Sequence, residues 1–307
     1  MDRNMEINCP ICNLKNIDKK HPYSFHKIKY ASFIEKYYPR FDLLSKESIK
    51  FKSEDNYFLT DFNDKRNLKK YLESISKEEG LFYLKNWLWR RKESKNLIYS
   101  PSEFECKSFC FPSIKFFHKF YGIDSYENIC KEVGLINRYN YHQELEFENK
   151  ELNFIVDTRE NSVLNVPNKI VQKMDAGDYT VEGSDILIEK KSITDFCGTL
   201  SQNFDRFCRE LDRVKKSNKY LIILVEEKFS NLVSLAYLPH TKRIKASNDF
   251  IFHRAREILK LYADICQIVC VSNKKEAAIL IQKIFSLKND SKTIDFQYIL
   301  DSERIIL

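Results

Sequence analysis

No stretch of this sequence is apolar for long enough to cross a membrane. The longest run, Tyr220 to Val225, is six residues, against about 20 for a helical span. The opening residues Met1 to Glu6 lack the apolar core of a signal peptide, so the expected location is intracellular and cytoplasmic. The nine cysteines are odd in number and lack the spacing of a disulfide framework, which points to free thiols in a reducing compartment. There is no fixed-period repeat and no low-complexity tract. With 43% hydrophobic residues the chain has material for real cores, which excludes wholesale disorder. At about 150 residues per domain, 307 residues predict two domains with room for a small appendage.

The net charge of +7 is less informative than its distribution. Residues 1–100 carry +7, residues 101–150 carry −2, residues 151–200 carry −4 and residues 201–307 carry +6. An acidic block lies between two basic flanks.

Periodicity divides the chain into four parts: 1–66, 67–138, a polar linker at 139–151, and 152–307. The last part alternates strands and helices. Strands are expected at Leu152–Val156, Gly177–Val181, Ile186–Lys190, Tyr220–Val225 and Gln267–Val271, with helices at Thr194–Lys216, Phe252–Tyr262 and Lys274–Phe285. That pattern predicts an α/β sheet domain. The part at 67–138 reads as a small all-α unit. Its helices are expected at Asn67–Glu79, Leu81–Glu93, Ser113–Tyr121 and Ser125–Val133, with a capping box at Ser102 and Glu105. Lys228 to Ile251 is long for a connection and reads as a substrate loop or a disordered excursion.

Chemistry concentrates between Gly177 and Lys191. A two-residue turn at Gly183-Ser184 pairs Glu182 with Asp185, and counting outward sets Asp178 opposite Glu189. Asp178, Glu189 and Lys191 then share one face, while Tyr179, Val181, Ile186 and Ile188 face the core. Opposed carboxylates repel unless a cation binds between them, and Mg²⁺ or Mn²⁺ suits such oxygen ligands. Asp157, at the end of the first strand, is a further candidate ligand. The competing reading is a solvated polar face with an incidental Glu–Lys pair.

Three ordered motifs in this region carry a resemblance: Val156-Asp157-Thr158-Arg159-Glu160, then Gly177-Asp178-Tyr179, then Glu189-Lys190-Lys191-Ser192-Ile193-Thr194-Asp195. Together they resemble the XPF-family nuclease domain of the PD-(D/E)xK superfamily, over residues 152–286. The resemblance implies an α/β restriction-endonuclease-like domain, a mixed sheet flanked by helices. It also implies Asp178 and Glu189 as metal ligands, Lys191 as the catalytic lysine, Asp157 and Glu160 in support, and Arg159 and Asp195 as organising residues. Lys190 stands where the family usually has arginine, on the face opposite Glu189 and Lys191. Only about twenty residues follow Phe285, too few for the tandem helix-hairpin-helix modules that often pair subunits in this family. The implied partners are DNA and a second copy joined through the nuclease domain.

Arg206, Arg209, Arg213 and Lys216 recur at helical spacing beside the acidic motif, opposite a core stripe of Phe204, Phe207, Leu211 and Val214. Such a basic row suits a phosphate backbone, whereas an ordinary solvated helix face is the plain alternative. In the N-terminal region, Cys9 and Cys12 with His21 and His26 (spacing C-x2-C-x8-H-x4-H) form a candidate Zn²⁺ knuckle at 9–26. Residues 68–136 resemble the homing-endonuclease-associated repeat through Pro101-Ser102, Pro112-Ser113, Phe120-Tyr121-Gly122, Ser125-Tyr126 and Gly134-Leu135. That resemblance would set Lys115 and Lys119 on DNA. The expected function is a metal-dependent DNA endonuclease, structure-selective, acting in repair, recombination or the processing of phage and mobile-element DNA. The alternative is an inactive DNA-binding regulator or adaptor on the same scaffold.

Overall fold

The structure, a computed structural model, describes residue 12, residues 20–29, residue 69, and residues 72–95, 97–108, 111–139, 144–234 and 248–302. The chain divides into two compact units, 1–91 and 92–307. Within the first unit, a short helix α1 spans His21–His26. A longer helix, α2, spans Lys77–Lys95 and so continues past the end of that unit. The sequence reading put a helix break near Gly80, but Gly80 lies inside α2 and donates its N–H to the Ser76 carbonyl. The helix instead starts at a capping box. Ser76 Oγ accepts from the Glu79 N–H, while Glu79 Oε2 accepts from the Ser76 N–H.

The second unit opens with α3 (Glu103–Ser108), α4 (Ile114–Tyr121) and α5 (Ser125–Val133). The capping box at Ser102 and Glu105 is formed, with Glu105 N–H on Ser102 Oγ at 3.1 Å and Ser102 N–H on Glu105 Oε2 at 3.4 Å. These helices share their unit with the sheet. Phe104 of α3 lies in the sheet domain's core, Glu103 N–H donates to Asp295, and buried Arg138 donates to the Ala263 carbonyl. The segment read as a linker from 139 to 151 begins with buried Tyr139. Its residues Glu146–Glu148 then run antiparallel to Ser286–Lys288.

Six strands form one mixed sheet in the order β2-β1-β3-β4-β5-β6. They are β1 (Phe154–Val156), β2 (Ile170–Val171), β3 (Tyr179–Val181), β4 (Ile186–Ser192), β5 (Tyr220–Glu226) and β6 (Cys266–Val271). Strand β3 is antiparallel to both neighbours, whereas β4, β5 and β6 run parallel. Every residue of β6, and all of β5 except Glu226, is buried. Near-continuous apolar strands are what a parallel sheet covered on both faces needs.

One face is covered by α6 (Ile193–Ser201), α7 (Phe204–Lys216) and α9 (Asn248–Tyr262), through Phe196, Phe207, Leu211 and Ile258 against Leu187, Leu221, Ile223 and Val225. On the other side α10 (Lys274–Ser286) packs against β5 and β6, and a terminal α11 (Phe296–Asp301) follows. The single helix expected over Thr194–Lys216 is two helices, parted at Gln202-Asn203. Ser201 turns its hydroxyl back onto the Cys197 carbonyl at 2.7 Å, a bond that weakens the ladder where α6 ends. The apolar spacing crosses the break intact, because Leu200 and Phe204 are four apart and both buried. The ends of the stretch read as a loop or excursion are helical, in α8 (Phe229–Ser234) and the start of α9.

Candidate nuclease site

The β3–β4 hairpin sets the site. Its register, Tyr179 opposite Ile188, is the one counted from the sequence, but the turn differs. The loop is four residues, 182–185, with Gly183 at φ +76 in its second central position and Ser184 N–H on the Val181 carbonyl. Two-residue and four-residue loops both leave an even count, so the register is unchanged.

Past Tyr179 the ladder departs from regular pairing. Gly177 has φ +74, and a Cβ there would lie 3.1 Å from Leu187 Cβ and 3.2 Å from the Ile188 carbonyl oxygen. Only glycine tolerates both conditions. This close approach lets Asp178 N–H reach the Ile188 carbonyl at 2.7 Å. The Asp178 carboxylate then takes the place of a main-chain acceptor, receiving the Lys190 N–H on Oδ2 at 2.7 Å. Its main-chain carbonyl accepts from Asp157 N–H.

On β4 the side chains alternate. Leu187, Glu189 and Lys191 face α7, and Ile188 and Lys190 face the other way. Lys191 Nζ donates to Glu189 Oε1 at 2.7 Å. The same ammonium stands 5.2 Å from the centre of the Phe207 ring on α7. One turn further along α7, Glu210 Oε1 accepts from Gly177 N–H at 3.4 Å. Burial, with the Glu189 charge second, holds the Asp178 carboxyl above its usual range. Burial likewise raises Glu189, with Glu210 adding to the effect and Lys191 opposing it. Two carboxylates driven toward protonation by desolvation and by a neighbouring carboxylate, Glu189 for Asp178 and Glu210 for Glu189, are what a cation would relieve.

The remaining motif residues frame this centre. Asp157 is 2% exposed, and its two oxygens accept four hydrogen bonds: Arg159 N–H (2.8 Å), Arg159 Nε (2.7 Å), Arg159 Nη2 (3.1 Å) and Met174 N–H (2.6 Å). The Arg159 hydrogen bond is the largest of the influences that lower the Asp157 carboxyl to about 2. Glu160 faces Lys190, with its Oε1 3.4 Å from Lys190 Nζ and 2.5 Å from the Ser162 N–H. Glu226, at the end of β5, lies 3.8 Å from the same ammonium. Asp195 caps α6. Its N–H donates to Ser192 Oγ at 3.1 Å and its carboxylate accepts from that hydroxyl at 2.6 Å.

Arg206, Arg209, Arg213 and Lys216 are all exposed along α7, while Phe204, Phe207, Leu211 and Val214 are buried. Lys119 is exposed, and Lys115 donates to the Asp301 carbonyl at 2.9 Å. In the first unit Cys12, His21 and His26 come together. Cys9 lies outside the described residues. Cys197 and Cys208 are free thiols, as the cysteine spacing suggested.

Sequence reasoning missed Glu210, Phe207 in this role, and Glu226. Phe207 and Glu210 sit on a helix whose periodicity shows only a core stripe and a charged face. Glu226 follows a buried strand with nothing around it to mark it.

The mixed sheet flanked by helices is an ERCC4 nuclease fold. Residues 144–284 match the family described as the ERCC4 domain. Among solved structures, XPF from Aeropyrum pernix is 23% identical with a TM-score of 0.33, over 45% of this chain and 66% of that one. XPF from Aeropyrum pernix in complex with DNA is 21% identical with a TM-score of 0.34, over 50% and 74%. The chain thus spans just under two thirds of the first of these. No curated protein matches the chain. Among the described residues no helix is long and apolar enough to cross a membrane.

Proposed function

We propose that the chain is a divalent-metal-dependent endonuclease that hydrolyses phosphodiester bonds in DNA. The observation that carries this reading is the placing of Asp178, just before β3 and hydrogen-bonded to Ile188 and Lys190, beside Glu189 of β4, with the Lys191 ammonium 2.7 Å from Glu189. The donor set is all oxygen, which fits Mg²⁺ or Mn²⁺, and the raised carboxyls fit a place where positive charge is wanted. Asp178 and Glu189 would hold the cation, which would supply Lewis acidity toward the phosphate and toward water.

The chain's own residues do the rest. The Lys190 N–H fixes one Asp178 oxygen and so orients the other. Lys191 steadies negative charge developing on the phosphate oxygens, and Glu189 and Phe207 set its position. Asp157 acts through Arg159 and the 174–178 segment as a positioning residue. Arg206, Arg209, Arg213 and Lys216 hold the phosphate backbone without reading its sequence. Branch or junction preference, a homodimer through the nuclease domain, and a place in repair, recombination or mobile-element processing extend the same reading.

The test is incubation of the full chain with labelled duplex, branched and single-stranded DNA, with and without Mg²⁺. Metal-dependent cleavage of at least one substrate is expected. DNA binding without cleavage of any of them, in Mg²⁺ or Mn²⁺, would replace this reading with a regulator built on the nuclease scaffold.

A further inference from the structure

The first unit holds chemistry that phosphodiester hydrolysis does not use. Helix α1 begins with His21 and Pro22. The fixed φ of proline suits the first helical turn, where its missing N–H costs nothing. The helix ends at Lys27, whose left-handed φ of 57 lets the next N–H, of Ile28, reach the Pro22 carbonyl while the Lys27 N–H donates to Tyr23. Six residues are too few to be stable as an isolated helix in water. Something beyond local propensity must therefore hold α1 to its surroundings.

One ligand atom from each of Cys12, His21 and His26 lies within 4.8 Å of the other two. Cys12 Sγ is 3.4 Å from His21 Nε2. For two ligands of one tetrahedral zinc, bonds of about 2.3 Å to sulfur and 2.05 Å to nitrogen give a sulfur–nitrogen edge of about 3.6 Å. The observed edge is therefore near what a shared ion sets, and the 4.8 Å spread closes with a shift of about an ångström. His21 is buried, its ring stacked on Phe25 at 4.7 Å and edge-on to His26 at 5.2 Å. Phe25 thus helps to fix the His21 ring plane, which a ligand needs for its lone pair to be aimed.

We infer that Cys12, His21 and His26 bind a structural Zn²⁺ ion that ties α1 to the preceding segment. One thiolate and two imidazoles are borderline-soft donors, which favour Zn²⁺ over the Mg²⁺ that suits an all-carboxylate site. Cys9, three residues before Cys12 in the sequence, lies outside the described residues. The competing account of the 3.4 Å contact is a thiol–imidazole hydrogen bond that needs no ion.

The two accounts differ in measurable ways. The full chain, purified without chelator and carrying Asp178→Asn so that the carboxylate site does not contribute, is expected to hold one zinc per chain by elemental analysis. Replacing the zinc with Co²⁺ should give the intense visible bands of a tetrahedral thiolate site. Cys12→Ser and His21→Ala should each lower zinc affinity by at least about 100-fold. These variants can fail to fold for other reasons, so the parent chain is also stripped with a chelator and titrated with Zn²⁺, with proteolysis of the N-terminal region as a second readout. Saturable protection at one equivalent, absent with Mg²⁺, supports the site. The inference is overturned by zinc content no higher than in Cys12→Ser, by a cobalt spectrum without tetrahedral thiolate bands, or by a titration without saturation. None of these readings depends on DNA cleavage, so the site and the nuclease reading stand or fall separately.

Discussion

The Lys191 ammonium stands 5.2 Å from the centre of the Phe207 ring, on a helix that otherwise looks like ordinary core and surface. Its other neighbour is Glu189 at 2.7 Å. The proposed catalytic lysine is thereby held from two sides, by a carboxylate on its own strand and by an aromatic face on α7. Cation–π contacts contribute about 0.5–2 kcal/mol, more when desolvated, and this one lies beside a buried carboxylate.

Phe207→Leu keeps an apolar side chain in the core but removes the ring. Its expected stability cost is about 1–1.5 kcal/mol. Cleavage should fall by about 5- to 20-fold, on the order of 1–2 kcal/mol in the transition state, while Phe207→Tyr should retain most of the activity. Cleavage rates at saturating Mg²⁺, compared with thermal midpoints, check this. Equal rates for Leu and Phe would mean that the ring has no part in placing the lysine.

Glu210 gives the second prediction. Its carboxylate adds negative charge next to Glu189 and meets the Gly177 N–H. Glu210→Gln keeps an acceptor for that N–H and removes the charge, so the site should attract a cation less strongly. The Mg²⁺ concentration giving half-maximal cleavage should rise by about 3- to 10-fold, or about 0.7–1.4 kcal/mol, with little change in the maximal rate. An unchanged metal titration would place Glu210 outside the centre's electrostatics.

Acid should loosen the frame around Asp157 before it dismantles the sheet. The Asp157 carboxyl is lowered in the folded state to about 2 from 3.8, first by the hydrogen bond from Arg159. A depressed carboxyl contributes stability that is full above the unfolded value and is lost as pH falls from about 4 through about 2. With Arg159 largely exposed and screened, the contribution is about 1–2 kcal/mol. Urea midpoints measured between pH 6 and pH 2.5 should show Asp157→Asn less stable at the upper end and the gap narrowing toward the lower end. A gap independent of pH would contradict the ion-pair account.

The basic row on α7 predicts a salt effect. Replacing Arg206, Arg209 and Arg213 together with Gln should weaken DNA binding for all sequences alike. If all three meet phosphates, the slope of log affinity against log salt should lessen by about 2–3, at roughly 0.9 per duplex phosphate contact. An unchanged slope would return these residues to a plain solvated face.

Much of the fold was legible in the sequence because hydrophobic period and turn residues carry it. The hairpin register followed from counting alone, and an error in the turn type did not matter because both loops have even length. The break between α6 and α7 was hidden, since the apolar spacing from Leu200 to Phe204 runs through it. Asp157 read as a candidate ligand because its position at a strand end is visible, whereas its engagement with Arg159 and Met174 depends on the path of the chain to 174. Phe207 and Glu210 reach the site from a different element, and no local pattern marks a side chain for its distant neighbours. The pairing of the cap Ser192 with Asp195, three residues on, had a local signature in the Ser-x-x-Asp spacing.

The most direct test of the central claim is DNA cleavage by Asp178→Asn and Glu189→Gln against the parent chain, over a range of Mg²⁺, with DNA binding measured in the same preparations. Both variants should bind DNA within about threefold of the parent (under about 0.7 kcal/mol). Both should lose metal-dependent cleavage by at least about 100-fold (about 2.7 kcal/mol or more in the barrier). Full cleavage by either variant would contradict the account and move the centre elsewhere in the chain.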